Sequence, residues 1–298
     1  FNRNYKKLLN WSIKNSPEFW SRFWDFSKIK GIKSNKNFRK SKTFYKNLFL
    51  PGSRLNFGEN LLSKNNNEKA VTFISENGFR EERSWRQLNL NTNKISKFLK
   101  KINIKKGDRV AAYMPNTIET VEAFIATTSL GGIWSSCSPD FGSKGVIERF
   151  SQINPKVLFI TDQYFYNGKK IDILNRLPEI LKLIPSIKSV VISNYPGKKF
   201  IKNKYKFKKI NLFKWNELMQ TNTEKIDFKR FDFETELAIL YSSGTTGKPK
   251  CICHRTGGVL IQHMKEHQLH CNIKENDNVF YFTTCGWMMW NWLVSSLA

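Results

Sequence analysis

Residues 242–250 read Ser-Ser-Gly-Thr-Thr-Gly-Lys-Pro-Lys and follow the apolar run Leu237-Ala-Ile-Leu-Tyr241. Two glycines, four hydroxyl side chains and two lysines in nine residues make a loop rich in free N–H groups, hydroxyls and positive charge. That is the chemistry that holds the phosphates of a nucleotide. The spacing is not that of a Walker A loop, because two residues rather than four separate Gly244 from Gly247, and Pro249 stands where a Ser or Thr would open a helix. Pro249 has no N–H and biases Lys248 away from the α region, so the loop is expected to run into a strand. No GxGxxG occurs, which argues against a dinucleotide enzyme. The bland alternative is a polar turn between two strands.

A second chemical segment is Gly286-Trp-Met-Met-Trp-Asn291. It follows an apolar run, Val279 to Thr284, read as a strand, so it is expected off a strand end where α/β sheets place ligands. Two indoles and two thioethers make a dry, adaptable wall for a small apolar group. Asn291 or an indole N–H could bond a polar atom of a ligand there, and a site built for that bond would reject an analogue lacking it by leaving a buried donor unpaired. Ordinary core packing at the start of a helix is the competing reading for each of these side chains.

A metal site competes nearby, since Cys251-x-Cys253-His254 precedes His263, His267 and His270-Cys271. A zincin needs Glu after its first His and position 264 is Met264, while the Cys pair is spaced by one residue rather than two to four. The histidines therefore read as helix-face residues over a sheet, and no metal ligand is assigned.

The 242–250 segment resembles the SSGTTGxPK signature of the adenylate-forming acyl-CoA synthetase superfamily. Four further segments resemble the acetoacetyl-CoA synthetase family within it: Pro17-Glu-Phe-Trp20 with Trp24-Asp-Phe26, Pro51 to Leu62, Ser138-Pro-Asp-Phe-Gly142, and Thr283 to Asn291. The resemblance runs through essentially the whole chain. It implies an incomplete N-terminal domain of the adenylate-forming fold, an α/β unit with a mostly parallel sheet flanked by helices. It also implies that acetoacetate and ATP form acetoacetyl-AMP and pyrophosphate, after which coenzyme A takes the acyl group, with Mg²⁺ assisting. A synthetase for another short acid, such as acetate or propionate, is the alternative within the class. By the same resemblance Ser242, Ser243, Gly244, Thr245, Thr246, Gly247 and Lys250 hold ATP, with Thr245 and Lys250 acting in catalysis. Trp287, Met288, Trp290 and Asn291 would line the acid, with Asn291 or an indole N–H meeting its 3-keto oxygen so that butyrate is rejected, and Gly142 with Lys169 or Lys170 would meet coenzyme A. The superfamily's ribose anchor, Mg²⁺ acid, hinge and C-terminal lid with its lysine have no counterpart before Ala298, so the chain reads as an N-terminal fragment. Phe1 in place of Met and the apolar end at Leu297-Ala298 read the same way.

Composition agrees with a cored protein: 298 residues, 40% hydrophobic and 14% aromatic, enough for one large or two ordinary domains. The formal charge of +26 raises nucleic acid or an anionic membrane as partner. The base used argues against both, because 38 of the 50 cationic residues are Lys beside 30 Asn, an AT-rich codon pattern, whereas Arg is favoured for phosphate and base recognition. Small-molecule substrates are the expected partners, and a Lys-rich nucleic-acid binder is the alternative from another class. Five scattered cysteines form no disulfide framework and suit a reducing cytoplasm.

These segments need a scaffold, and from Arg109 onward apolar runs alternate with helical patterns: strand 110–114, helix 117–130, strand 133–137, helix 143–153, strand 156–161. Such order builds a parallel sheet. A helical stretch is expected over 172–184, then a strand over 189–193, with Lys198 to Lys209 as a Lys-coated edge strand. Ahead of this body, residues 1–105 are read as a helical and hairpin region packing on the 106–298 unit. Ser16-Pro-Glu opens an aromatic-faced helix, Asn77-Gly78 turns a hairpin, and Ser84 with Gln87 forms a capping box.

Overall fold

The computed structural model describes residues 4–199, 206–222, 227–242 and 247–298. Its centre is a seven-stranded sheet: β1 (Arg109–Tyr113), β2 (Ile133–Cys137), β3 (Val157–Thr161), β4 (Ser189–Ser193), β5 (Asn211–Lys214), β6 (Glu236–Ser242) and β7 (Lys250–Arg255). The spatial order is β5-β4-β3-β1-β2-β6-β7. Every neighbouring pair is parallel except β6 with β7, an antiparallel hairpin at the edge. β2, β3 and β4 are buried at every position, as expected of strands covered on both faces.

Side-chain alternation sorts these strands into two cores. Val110, Ala112, Trp134, Phe159 and Val191 point to one face, and Ala111, Tyr113, Leu158, Ile160, Val190 and Ile192 to the other. The first core also holds Phe23 and Trp24 of α1 (Ser16–Phe26), Leu88, Ile95 and Leu99 of α2 (Trp85–Lys101), and Phe124 of α3 (Ile118–Ser129). α3 is buried along its whole length, and it packs on both α2 and β2. α2 presents Leu88, Thr92, Ile95 and Leu99 inward at three- and four-residue spacing. Its first turn is closed by the Ser84–Gln87 capping box, both bonds of which form.

The opposite core holds Val146 and Phe150 of α4 (Ser143–Ile153). The connections leaving β1 and β2 therefore run over opposite faces, and β3 returns to the far side of β1. That reversal puts the switch point of the strand order between β1 and β3, and such sheets bind ligands outside the carboxyl ends of the strands at such a point. No described helix is long and apolar enough to cross a membrane.

Three expected elements differ. Lys206–Lys209 form no strand; the edge strand begins at Asn211, whose register with Ser189 opens the pairing with β4, while residues 200–205 lie outside the described ones. Residues 172–184 start as a 3₁₀ turn, Leu174–Arg176, and become α-helical at Leu177–Leu183, where Pro178 sits in the first turn. Val279 to Thr284 pairs with no described strand, and Phe280 and Phe282 are 82% and 90% exposed. Without a neighbouring backbone to complete a ladder, an apolar run stays an isolated extended segment.

Candidate functional site

The 242–250 segment leaves the carboxyl end of β6 and returns as β7, with Ser242 and Lys250 opposite each other in the ladder. Pro249 thus feeds a strand, as its missing N–H requires. Gly247 has φ +108° with open space around its Cα, a backbone setting that favours glycine. Lys248 and Lys250 are exposed. Ser243, Gly244, Thr245 and Thr246 lie outside the described residues.

The second segment is seated on the ends of the two adjacent strands β1 and β2. The Ser136 hydroxyl of β2 donates to the Cys285 carbonyl at 2.5 Å, the Trp134 indole donates to Ser136 Oγ at 3.0 Å, and the Cys285 thiol donates to the Met114 carbonyl at 2.8 Å. Gly286 then passes so close that a Cβ would lie 3.2 Å from Phe141 and 3.5 Å from the Ser138 amide. From there Met288–Val294 forms a short helix, α6, following α5 (Thr256–Lys265) in the chain.

The four candidate acid-lining residues divide sharply. Trp287 and Met288 are 56% and 43% exposed. Trp290 is fully buried, stacked on Trp134 with centroids 6.4 Å apart and edge-on to Phe124 at 5.3 Å. Its indole N–H donates to Asn116 Oδ1 at 2.8 Å, so the core, and not an open wall, holds this ring. Asn291 is fully buried, and neither its Oδ1 nor its Nδ2 has a partner among the described residues. A buried amide left in this state is costly unless something else reaches it.

Behind Asn291, Ser295 Oγ donates to the Asn291 carbonyl at 2.7 Å and lies 2.8 Å from His263 Nδ1. With the hydroxyl proton committed to that carbonyl, His263 carries its proton on Nδ1. Burial pushes His263 down to about 3 and His267 to about 4, so both are neutral packing residues over the sheet. Among the described residues, no three or more His, Cys, Asp or Glu side chains converge as a metal cage would require.

Gly142 caps α4 and is exposed. Lys169 and Lys170 are exposed on a separate hairpin, Gln163–Tyr166 with Lys169–Asp172. Burial, with the Asp140 carboxylate of the 138–142 loop as a lesser cause, pushes the Tyr164 hydroxyl up from its ordinary value. The hairpin's turn amides, Asn167 and Gly168, both donate to the Glu76 carboxylate at 2.8 and 2.9 Å. That carboxylate fills the turn's own anion-binding N–H pair.

Three residues that hold the site in place carry no motif in the sequence. Asn116 pins Trp290. Arg176 holds the carbonyls of Pro139 and Phe141 at 3.0 and 3.2 Å and also meets the Tyr113 hydroxyl. Gln152 on α4 donates to the Pro249 carbonyl, on the returning flank of the loop, at 2.9 Å.

The model of a family described as "AMP-binding enzyme" matches residues 60–297. The chain belongs to this family. Within it, the chain is 39% identical over 308 residues to acetoacetyl-CoA synthetase of Gallus gallus. It is 40% identical over 295 residues to acetoacetyl-coenzyme A synthetase of Rhizobium meliloti (strain 1021). Each alignment covers 99% of this chain and 45% of the relative, so the chain spans about half the length of the relatives it matches. Malonamoyl-CoA synthetase of Penicillium aethiopicum is 35% identical over 322 residues, covering 99% of this chain and 42% of that one. Among solved structures, acetoacetyl-CoA synthetase from Streptomyces lividans superposes with a TM-score of 0.90 at 31% identity, covering 99% of this chain and 45% of its own. That likeness extends to the central, mostly parallel sheet and the helices flanking it.

Proposed function

We propose that the protein carrying this chain is an acid–thiol ligase that activates a short 3-oxo acid, acetoacetate foremost, as its acyl-adenylate and passes the acyl group to coenzyme A. One observation carries the reading: the 242–250 loop leaves β6 while Cys285–Asn291 is bonded to the end of its neighbour β2. A phosphate-holding loop and an acid-recognising segment on adjacent strand ends suit a carboxylate attacking an α-phosphate. The relatives named above are named for acetoacetate and malonamate, acids that share a carbonyl two carbons from the carboxylate. Asn291, buried with a free amide, is the group offered to that carbonyl, with Trp287 and Met288 beside the acyl chain and Trp290 backing them.

In this reading the loop amides, Ser242, Ser243, Thr245, Thr246 and Lys250 neutralise charge on the departing pyrophosphate, while positioning of the two anions supplies the rest. Thr245 and Lys250 belong to the chemical step. Gly142 and Lys169 face coenzyme A. The described residues do not assemble a carboxylate set for Mg²⁺, so no residue of this chain is assigned to it and no step runs through it. Residues 1–105 serve as a layer on the 106–298 body, and the five free cysteines suit a cytoplasmic enzyme. Incubating the protein with ATP, coenzyme A and acetoacetate tests the proposal. Acetoacetyl-CoA, AMP and pyrophosphate in equal amounts are expected; ADP with inorganic phosphate would refute an adenylate route.

A further inference from the structure

α4 grips both roots of the 242–250 loop with two side chains three residues apart, neighbours on one helix face. Arg149 donates to the Gly145 carbonyl at 2.9 Å, and its guanidinium lies over the Phe141 ring at 4.3 Å and the Tyr241 ring at 5.8 Å. Tyr241 immediately precedes Ser242, and its hydroxyl lies 3.1 Å from Ser135 Oγ of β2. Gln152 brackets the other root: its Nε2 donates to the Pro249 carbonyl at 2.9 Å, and its Oε1 accepts from the Cys251 thiol at 3.7 Å. Lys250 stands between those two contacts. Among the described residues no carboxylate pairs with Arg149, so its aromatic stacking and carbonyl contact define its place.

We propose that Arg149 and Gln152 are positioning residues for adenylation, setting Lys250 and the loop roots at a fixed place against the end of β2. Gln152 acts through Pro249 and Cys251 on the lysine between them, and Arg149 acts through Tyr241. The proposal rests on the reading of residues 242–250 as the nucleotide loop. An amide–carbonyl bond at the protein surface is worth about 0.5–1.5 kcal/mol, which converts to a rate effect of about two- to tenfold.

The test compares half-reactions in the protein carrying this chain. Gln152→Ala is expected to slow acetoacetate-dependent ATP–pyrophosphate exchange about fivefold, through a raised KM for ATP. Transfer from preformed acetoacetyl-adenylate to coenzyme A should stay within about twofold. Gln152→Glu, which keeps the length and loses the N–H donor, should match Gln152→Ala, and Arg149→Lys should fall in the same direction. In a Lys250→Ala background, Gln152→Ala should add less than about twofold, because the residue it positions is gone. An equal loss in both half-reactions, with a lowered melting temperature, would make Gln152 merely structural and overturn the proposal. The full fivefold loss persisting without Lys250 would overturn it as well, leaving the nucleotide loop intact. If Lys250→Ala alone leaves exchange unchanged, the loop reading falls and this proposal with it.

Discussion

Asn291→Leu separates stability from recognition. Asn291 is fully buried with both polar atoms of its amide unpaired among the described residues, and Leu has the same branched skeleton with methyl groups in place of the amide O and N. An amide buried without partners costs about 1–3 kcal/mol in proteins, and replacing such a group by an apolar one of the same shape is neutral or stabilising. Asn291→Leu is therefore expected to raise stability by up to about 1–3 kcal/mol, less the strain of seating two bulkier methyls, at about 2–4 °C in Tm per kcal/mol for a chain of this size. The same change removes the group offered to the 3-oxo oxygen. Exchange with acetoacetate should drop about 10- to 100-fold, the equivalent of one lost hydrogen bond of about 1.4–2.8 kcal/mol, while exchange with butyrate should hold or rise. Calorimetry and pyrophosphate exchange on one preparation read both effects. A Tm lowered by several degrees would mean that the amide is partnered in the folded protein. Unchanged discrimination between acetoacetate and butyrate would show that Asn291 does not meet the acid.

Thr245→Ala or Lys250→Ala should slow adenylation at least tenfold more than thioester formation from preformed adenylate, since pyrophosphate has left before the thiol attacks; equal losses would indicate a folding defect. Glu122, buried on α3 beside Glu119 and Arg83, is pushed by burial up to about 8. Its native pKa lies above the unfolded value, so the linked stability is full below about pH 4.5 and is lost as pH rises through 8. Glu122→Gln should match the parent melting temperature near pH 4 and exceed it by a margin that widens up to about pH 8, and a parent-minus-variant difference that stays constant from about pH 4 to 8 would contradict this. His263 is shifted the other way, to about 3: its contribution is present above about pH 6.5 and lost as pH falls, about 2 kcal/mol by pH 5. Replacing it with Gln should flatten that acid limb of a melting-temperature titration.

The parallel body was legible because strands buried on both faces carry their signal locally, as in Val110 to Tyr113, Ile133 to Cys137 and Val157 to Thr161. The Ser84–Gln87 cap and the Pro249 exit into a strand were equally local, each fixed by one residue's own bonding capacity. Val279 to Thr284 failed for the opposite reason: an apolar run does not specify whether another backbone lies beside it. The inward turn of Trp290 and the outward turn of Trp287, one helical turn apart, depend on where α6 docks against Trp134 and Phe124. No composition rule distinguishes two indoles in one hexapeptide. Arg149, Gln152 and Asn116 escaped notice because each meets a partner between 97 and 174 residues away or a ring on a strand distant in the sequence.

Acid-dependent ATP–pyrophosphate exchange, measured with acetoacetate, malonamate, acetate and butyrate at equal concentrations, tests adenylation and acid recognition together. Exchange should be fastest with acetoacetate, detectable with malonamate, and at least tenfold slower with acetate and butyrate, which lack the 3-oxo group. Equal or faster exchange with acetate or butyrate would contradict recognition of a 3-oxo acid, and no exchange with any of the four would contradict adenylation itself.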